Sequence, residues 1–481
     1  MIDQNSISDL SQILCLQDEK RLQLIKKVTD YYLAFLGNLS IGKAYLGDED
    51  AGKALASMPF QENPYPIDHI FDVFHQSVTE NGINPASGKH FGYVPGGGIE
   101  TAAWGDFLGA LTNRYSGINF ANPGAVRMEN QVIAWMCKLI GYNEGSHGSL
   151  LSGGSIANLS AIITARDHKE LKARDFEKAV IYLTDETHHC VQKALRLAGM
   201  GESVIRYIPM DEKFSMQPDA LETTIKKDIE LGLIPFLLIG SAGTTNTGAI
   251  DPLERLADIA ANDQIWFHVD AAYGGFFLLV DELREKFKGI ERADSVVIDP
   301  HKSLFMPYGS GVILVREAAH LFKSNFYTAA YLQDSIDGQG ERSPADYSPE
   351  LTRHFRGMRI WFSLSMLGIS PFRKALAEKI ELSHYFYHEI QKAGFEVGPF
   401  PALSISLFRY VPKEGDANEA NTKLLALIHA DGQIFVSSTT ILGVIWIRMA
   451  ILVFRAHQKE VDFAIKTMEK LKNSMNLHLL R

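Results

Sequence analysis

Cysteine is scarce in this 481-residue chain: Cys15, Cys137 and Cys190 are the only three. They are too far apart in sequence to form a disulfide framework, which fits a reducing compartment. A basic surplus is missing as well. The 47 Lys and Arg against 57 Asp and Glu leave a net charge of -10, which argues for solubility and against a nucleic-acid-binding surface. No long apolar run exists: the most apolar stretch, residues 441–454 (ILGVIWIRMAILVF), is too short for a membrane span and carries Arg448 at its middle. Its β-branched content suits a buried strand or two. The N-terminus, MIDQNSISDL, has neither the basic start nor the apolar core of a signal peptide, so a cytoplasmic protein without membrane partners is expected. Repeats and low-complexity segments are absent. So are GxSxG, GxxxxGK[ST] and HExxH, which removes support for α/β-hydrolase, P-loop and zinc-protease chemistry. His188-His189-Cys190 has no second cluster at metal-ligand spacing, and no metal is expected.

What is present is ordinary globular composition, with 46% hydrophobic, 22% charged and 10% aromatic residues. The length exceeds what one core organises, so two or three domains are expected. Residues 5–40 carry apolar residues at helical spacing (Leu10, Ile13, Leu14, then Leu22, Leu24, Ile25, Val28, Tyr32), followed by a loop-rich stretch to about residue 85. From 86 to 365 strand-like and helix-like stretches alternate. The strand candidates are AVIYLT (179–184), IPFLLIGSAG (234–243), QIWFHVD (264–270) and SVVID (295–299). Such alternation predicts a mostly parallel sheet covered by helices on both faces. In DPLERLADI, Asp251 is read as a helix cap, with Pro252 in the first turn and Glu254 completing a capping box. Residues 366–481 change texture: a long helical stretch to about 393, then strands, a helix near 417–430 and two more strands. That order predicts a separate small α+β domain.

In an open α/β sheet, ligands gather at the carboxyl ends of the strands. Those ends carry Asp270-Ala271-Ala272, Ser241 to Gly248 with Thr245, Asp185 to Cys190 with His188, and Asp299-Pro300-His301-Lys302. Ser152-Gly153-Gly154-Ser155 stands just before a helix. Singly, each has a plain structural reading: a turn and cap, a core histidine, a lysine reaching water. Together they fit one ligand. Free N–H groups at the helix start suit a phosphate, Asp270 suits a protonated pyridine nitrogen, and small Ala272 lets a flat ring approach the backbone. An imidazole such as His188 would stack on the ring. Lys302 would supply the amine of a Schiff base, its pKa lowered by burial and a nearby cation. These are the parts of a pyridoxal 5'-phosphate site.

SGGSIANL, THHCVQKA, HVDAAYGG and DPHKS, in this order along the chain, resemble the motifs of the group II pyridoxal-phosphate amino-acid decarboxylases, the aromatic-L-amino-acid decarboxylase-like family. The similarity runs from about residue 85 to the C-terminus. It implies a fold type I large domain (86–365) with a mostly parallel seven-stranded sheet, a small C-terminal α+β domain (366–481), and an N-terminal helical segment (1–85) clasping a partner in a homodimer. By position, Lys302 matches the Schiff-base lysine, Asp270 the aspartate at the pyridine nitrogen, Ala272 the small residue beneath the ring and His188 the stacking histidine. Gly154, Ser155 and His301 match phosphate contacts, and Thr245 a residue beside the cofactor. Asp299 stands where many relatives have Asn, and Ser303 where several have Trp, differences expected to affect local packing.

The implied activity is decarboxylation of an L-amino acid, with an aromatic one favoured. An aldehyde synthase or another lyase is the alternative within the same cofactor class, and a silent cofactor-binding scaffold lies outside it. Decarboxylation needs an acid to protonate the α-carbon. The polar stretch 331–357 is rich in Gly, Ser and Pro and reads as a loop over the site. Within it Tyr347 lies near the family's loop tyrosine, although its spacing to Phe355-Arg356 is shorter; an exposed structural tyrosine is the other reading. Where family members have that tyrosine replaced, the resemblance implies a switch from amine to aldehyde products. HFGYVPGGG (90–98) resembles the family's side-chain pocket, with Tyr93 and Pro95 at matching positions. Its glycines either widen the pocket or let the backbone approach the substrate, or form a flexible turn.

Overall fold

The computed structural model describes residues 14–48, 50–327 and 341–478. Short aliphatic runs flanked by turn residues form a seven-stranded sheet: β1 (His147–Leu151), β2 (Ala179–Leu183), β3 (Val204–Tyr207), β4 (Ile234–Ser241), β5 (Trp266–Asp270), β6 (Ser295–Ile298) and β7 (Gly311–Val315). Their spatial order is β1-β7-β6-β5-β4-β2-β3. β2 pairs in parallel with β3 and β4, as do β4 with β5 and β5 with β6; only β7 runs against its neighbours, β6 and β1. Six strands therefore point one way and deliver their carboxyl ends to one edge. The central strands are buried along their whole length, the pattern of a sheet covered on both faces. This is the fold type I architecture, with its mostly parallel seven-stranded sheet and a smaller α+β unit.

That smaller unit is an antiparallel sheet of β8 (Glu396–Val397), β9 (Ile405–Arg409), β10 (Ser437–Ile441) and β11 (Val444–Ala450), ordered β8-β9-β11-β10. Phe386 and Ile390, Leu424 and Ile428, and Val461 and Met468, from three different helices, close over it. Residues 91–99 run between this sheet and the large one. The Phe91 N–H donates to the Phe435 carbonyl, and the Ile99 N–H to the Phe305 carbonyl just beyond Lys302.

The four expected strands of the large sheet form within two residues of their expected ends. β1, β3 and β7 were not expected; the first is glycine- and serine-containing (HGSLL), and its strand state comes from pairing with β7. The long helical stretch expected from about 366 to 393 is the helix Ser370–Lys392; a further helix, Arg356–Leu367, precedes it, and the two are separated at Gly368 with φ +71°. The expected boundary at 365/366 falls inside the preceding helix, Arg356–Leu367. The expected cap at Asp251 does not form. Its carboxylate instead accepts the backbone N–H groups of Met216 (2.8 Å) and Ser241 (2.7 Å), tying the end of β4 to a neighbouring loop, and the helix Leu253–Asn262 starts without a side-chain cap. In the N-terminal region the helix is Asp18–Asn38; Leu10 and Ile13 lie outside the described residues.

One buried ion pair anchors the start of the site. Arg353 and Glu129, with fully buried side chains, meet at 2.6 Å, and Arg353 also donates to the Leu150 carbonyl in β1. Removing one member leaves an uncompensated charge in the core. Arg353→Leu is expected to cost about 3–5 kcal/mol, while Arg353→Leu with Glu129→Leu restores much of it, both read from denaturant midpoints. A single variant as stable as wild type would refute this anchoring.

Candidate active site

The shared carboxyl edge of the strands holds a cavity of about 410 Å³. Gly154, Ser155, His188, Thr245, Asp270, Ala272, His301 and Lys302, which the sequence distributes over about 150 positions, all line it. Each arrives by the same route: a strand ends, and the next residues turn outward. Asp270 closes β5, Lys302 follows β6 by four residues, and Gly154 opens the helix Gly154–His168 after β1.

Asp270 is held from two sides. Its Oδ1 accepts the Ala272 N–H at 3.1 Å, and its Oδ2 faces the Asn158 amide nitrogen at 3.3 Å. The Lys302 ammonium lies 3.2 Å from Asp299 Oδ2, and the Asp299 side chain is almost wholly buried. Burial pulls the Lys302 pKa down, but the carboxylates of Asp299 and Asp270 outweigh it and hold the amine above the ordinary lysine range. The expected lowering is therefore reversed, because the nearest charges are anions rather than a cation. Asp299, whose difference from relatives was expected to affect local packing, is the lysine's ion-pair partner. Ser303 does serve packing, its hydroxyl donating to the Tyr273 carbonyl at 2.6 Å.

Burial lowers the pKa of His188 and of His301, so both rings are neutral. His188 Nδ1 accepts the Cys190 N–H at 3.2 Å, which leaves its Nε2 to carry the proton. His301 Nδ1 donates to the Ser310 carbonyl. The phosphate end expected of this site fits the residues present. The first N–H groups of the helix Gly154–His168 have no acceptor within the helix, and Ser155 and His301 stand beside them. The glycines here are spatially required: a Cβ on Gly154 would lie 2.7 Å from Asp299 Oδ2, and one on Gly311 would lie 2.3 Å from the Gly153 carbonyl carbon. Asp299 Oδ1 and Glu186 Oε2, both buried, have no hydrogen-bond partner among the described residues. Among those residues, too, no cluster of three His, Cys, Asp or Glu side chains is arranged to hold a metal ion.

Three expected residues are not in the cavity wall. Tyr347 is buried, its ring 4.6 Å from that of His147 at the start of β1 and 5.6 Å from Phe322. At about 3.3 Å per residue, the length of β1 puts some 13 Å between that end and the cavity. Nearby, Arg342 donates to the Ser146 carbonyl and the Ala345 N–H to the Gly117 carbonyl, pinning residues 342–347 at the same far end. Tyr347 is thus a core residue, neither an acid over the site nor an exposed tyrosine. Residues 331–340 of the expected loop lie outside the described residues. Tyr93 sits outside the cavity, half exposed, with its ring 5.8 Å from Phe435. Pro95 is buried beside Gly96, whose added Cβ would lie 2.3 Å from the Lys302 carbonyl oxygen. Of the readings for the glycines, close backbone approach is the one realised at Gly96, but toward the lysine's own main chain.

Sequence reasoning overlooked Asn158, Glu186 and Arg448. Asn158 carried a signal: it stands one turn after Gly154, mid-helix, where asparagine is a poor helix former. Glu186 lines the cavity, accepts from Asn246 at 3.4 Å, and has its pKa raised by burial. Arg448, from β11, is buried without a carboxylate partner among the described residues; it donates to the carbonyls of Thr245 and Asn246 (2.9 Å for the latter) and to Ser437 Oγ at 2.8 Å. Its signal was the lone charge in an apolar run.

Residues 51–410 match the family described as the pyridoxal-dependent decarboxylase conserved domain. The chain is 33% identical over 442 residues to an aromatic-L-amino-acid decarboxylase of Bacillus atrophaeus, covering 87% of this chain and 91% of that protein. It is 28% identical to a phenylacetaldehyde synthase of Arabidopsis thaliana, covering 85% and 86% respectively. A solved structure of Oryza sativa TDC with PLP and tryptamine superposes with a TM-score of 0.90 at 24% identity, over 96% of this chain and 99% of that one.

The Asp299–Lys302 pair has a measurable consequence. A raised pKa means the reactive neutral amine appears only as pH rises, so Asp299→Asn should bring it in at lower pH. The rate at which apo protein takes up pyridoxal phosphate should show its midpoint moved downward, with about a tenfold gain at neutral pH per unit moved. An unchanged profile would show that Asp299 does not hold the lysine's proton.

Proposed function

The chain belongs to the pyridoxal-dependent decarboxylases, and from that membership we propose that its substrate is an aromatic L-amino acid, converted to the amine and carbon dioxide. The observation that carries the reading is the Lys302 amine inside a cavity that also holds a doubly anchored Asp270 carboxylate. The aromatic preference draws support from the 33% identity to the Bacillus aromatic-L-amino-acid decarboxylase.

Pyridoxal phosphate, when bound, supplies a carbonyl that Lys302 and then the substrate amine can join, and a ring that accepts the electron pair left by the departing carboxyl group. Gly154, Ser155 and His301 would hold its phosphate, and Ala272 and His188 its ring. Asp270 would keep a proton on the ring nitrogen. Thr245, whose carbonyl Arg448 holds, would stand beside the cofactor. The positive charge of Arg448 favours an anionic substrate carboxylate on that side. Two groups would be placed to return a proton to the substrate: Lys302 Nζ, whose pKa the carboxylates of Asp299 and Asp270 raise, and Glu186, whose pKa burial raises. Glu186 stands in the wall where Tyr347 does not.

A second reading, the aldehyde synthase, is favoured by one observation: Tyr347 lies at the far end of β1. Borohydride reduction and peptide mapping should mark Lys302, and incubation with tyrosine, tryptophan, phenylalanine, histidine, glutamate and diaminobutyrate should yield carbon dioxide with amine from an aromatic one. Aldehyde and peroxide without amine would favour the second reading; an unmarked Lys302 would overturn both. Glu186→Gln should cut amine formation by about 100-fold if Glu186 is the acid.

We further propose a cytoplasmic homodimer. All three cysteines are unpaired, and no described helix is long and apolar enough to cross a membrane. The helix Asp18–Asn38 buries none of its residues and exposes Leu22, Ile25, Val28 and Leu33, an apolar face that a second copy would cover. Light scattering should give twice the chain's 53.5 kDa, and a monomer mass would reject the clasp.

A further inference from the structure

Behind Asp270 a line of buried polar side chains leads away from the cavity into the sheet. Asn158 Nδ2 faces Asp270 Oδ2 at 3.3 Å and donates to the Gly154 carbonyl at 2.9 Å. Asn158 Oδ1 lies 2.9 Å from His268 Nε2; His268 Nδ1 lies 2.8 Å from Ser295 Oγ; and Trp266 Nε1 donates to Ser295 Oγ at 2.9 Å. Asn158, His268, Ser295 and Trp266 are each at most 2% exposed, and a run of polar groups that deep in a sheet is retained only when fully paired. Asn158 lines the cavity, whereas His268, Ser295 and Trp266 lie behind its wall.

The chemistry of the partners fixes the direction of every hydrogen bond. Asp270 and the Gly154 carbonyl accept only, so the amide nitrogen of Asn158 must face both, and its oxygen must face His268. That oxygen accepts only, so His268 Nε2 carries hydrogen. The ring is neutral, because burial lowers its pKa to about 4, and Nδ1 is therefore a lone pair that Ser295 must serve. From the other end, an indole N–H can only donate, which requires Ser295 Oγ to accept from Trp266 and spend its own hydrogen on His268. Both ends give the same answer: protons point one way, from Trp266 to Asp270.

We propose that Trp266, Ser295, His268 and Asn158 form a one-way donor chain that positions Asp270 and holds it as an acceptor-only carboxylate, and that this chain sets how firmly the protein grips a ring nitrogen that carries a proton. All four are positioning residues for that grip. The inference rests on the proposed function, because Asp270 needs a protonated partner only if the cofactor is bound there. Ser295 also explains the pairing of strand identities: it opens β6, and Trp266 and His268 are the first and third residues of β5, so one hydroxyl in register His268↔Ser295 serves both side chains.

The test uses the full-length protein stripped of cofactor and reloaded with pyridoxal phosphate labelled with nitrogen-15 in the ring. Two readouts are taken at one pH: the cofactor dissociation constant and the ring-nitrogen chemical shift, which reports whether that nitrogen is protonated. Asn158→Asp puts an acceptor against Asp270 and should weaken cofactor binding about 10-fold or more, as loss of a hydrogen bond to a charged group does, and move the shift toward the unprotonated value. Trp266→Phe keeps the ring bulk and removes only the first donor; it should move both readouts in the same direction, by about 2-fold or more in binding. If Asn158→Asp does not fold, Trp266→Phe decides alone. Loaded wild type beside folded variants with unchanged constants and shifts overturns the chain. Wild type that retains no cofactor overturns the proposed function and this inference with it.

Discussion

A carboxylate held at the end of a buried strand is the interaction on which the rest of the site depends. Asp270 ends β5, the middle strand of seven, and accepts from Ala272 and from Asn158 before any ligand arrives. Burying such a charge is unfavourable unless it is hydrogen-bonded. The fold meets that condition with backbone and amide donors, leaving the carboxylate able to act on what enters the cavity. Lys302 and Asp299 stand on the neighbouring strand's extension, so the two anions and the cation occupy one small volume whose charges balance only in part.

Much of this arrangement was legible because a parallel sheet sends its strand ends to one edge. Four strands could be read from β-branched runs, and the residues following them converge on one cavity. What could not be read is what depends on three-dimensional pairing. HGSLL becomes a strand because Gly311–Val315 passes antiparallel beside it. Asp251 looked like a helix cap because Pro and Glu followed at the right offsets, yet two N–H groups from other segments claim its carboxylate. Tyr347 was placed over the site on a loop of uncertain spacing, and the structure seats it against His147 in the core.

Charge was misread for a related reason. Asp299 is a single residue from a proline and three from the lysine, and the sequence does not say which way its side chain turns. In the fold it turns toward Lys302, reversing the sign of the shift expected for the amine. Arg448 was noted only as an interruption in an apolar run, and it proves to be the clamp that joins β11 to the turn at Thr245 and Asn246.

The contact at Gly96 carries a mechanical consequence. Hydrogen is the only substituent that fits between residue 96 and the main chain of Lys302, and the same stretch is tied to the small sheet through Phe91 and to Phe454, whose N–H donates to the Gly96 carbonyl at 3.3 Å. A tilt of the small sheet would therefore press on the backbone that carries the Lys302 amine. Motion between the two units would thus be felt at the main chain of Lys302 through this glycine.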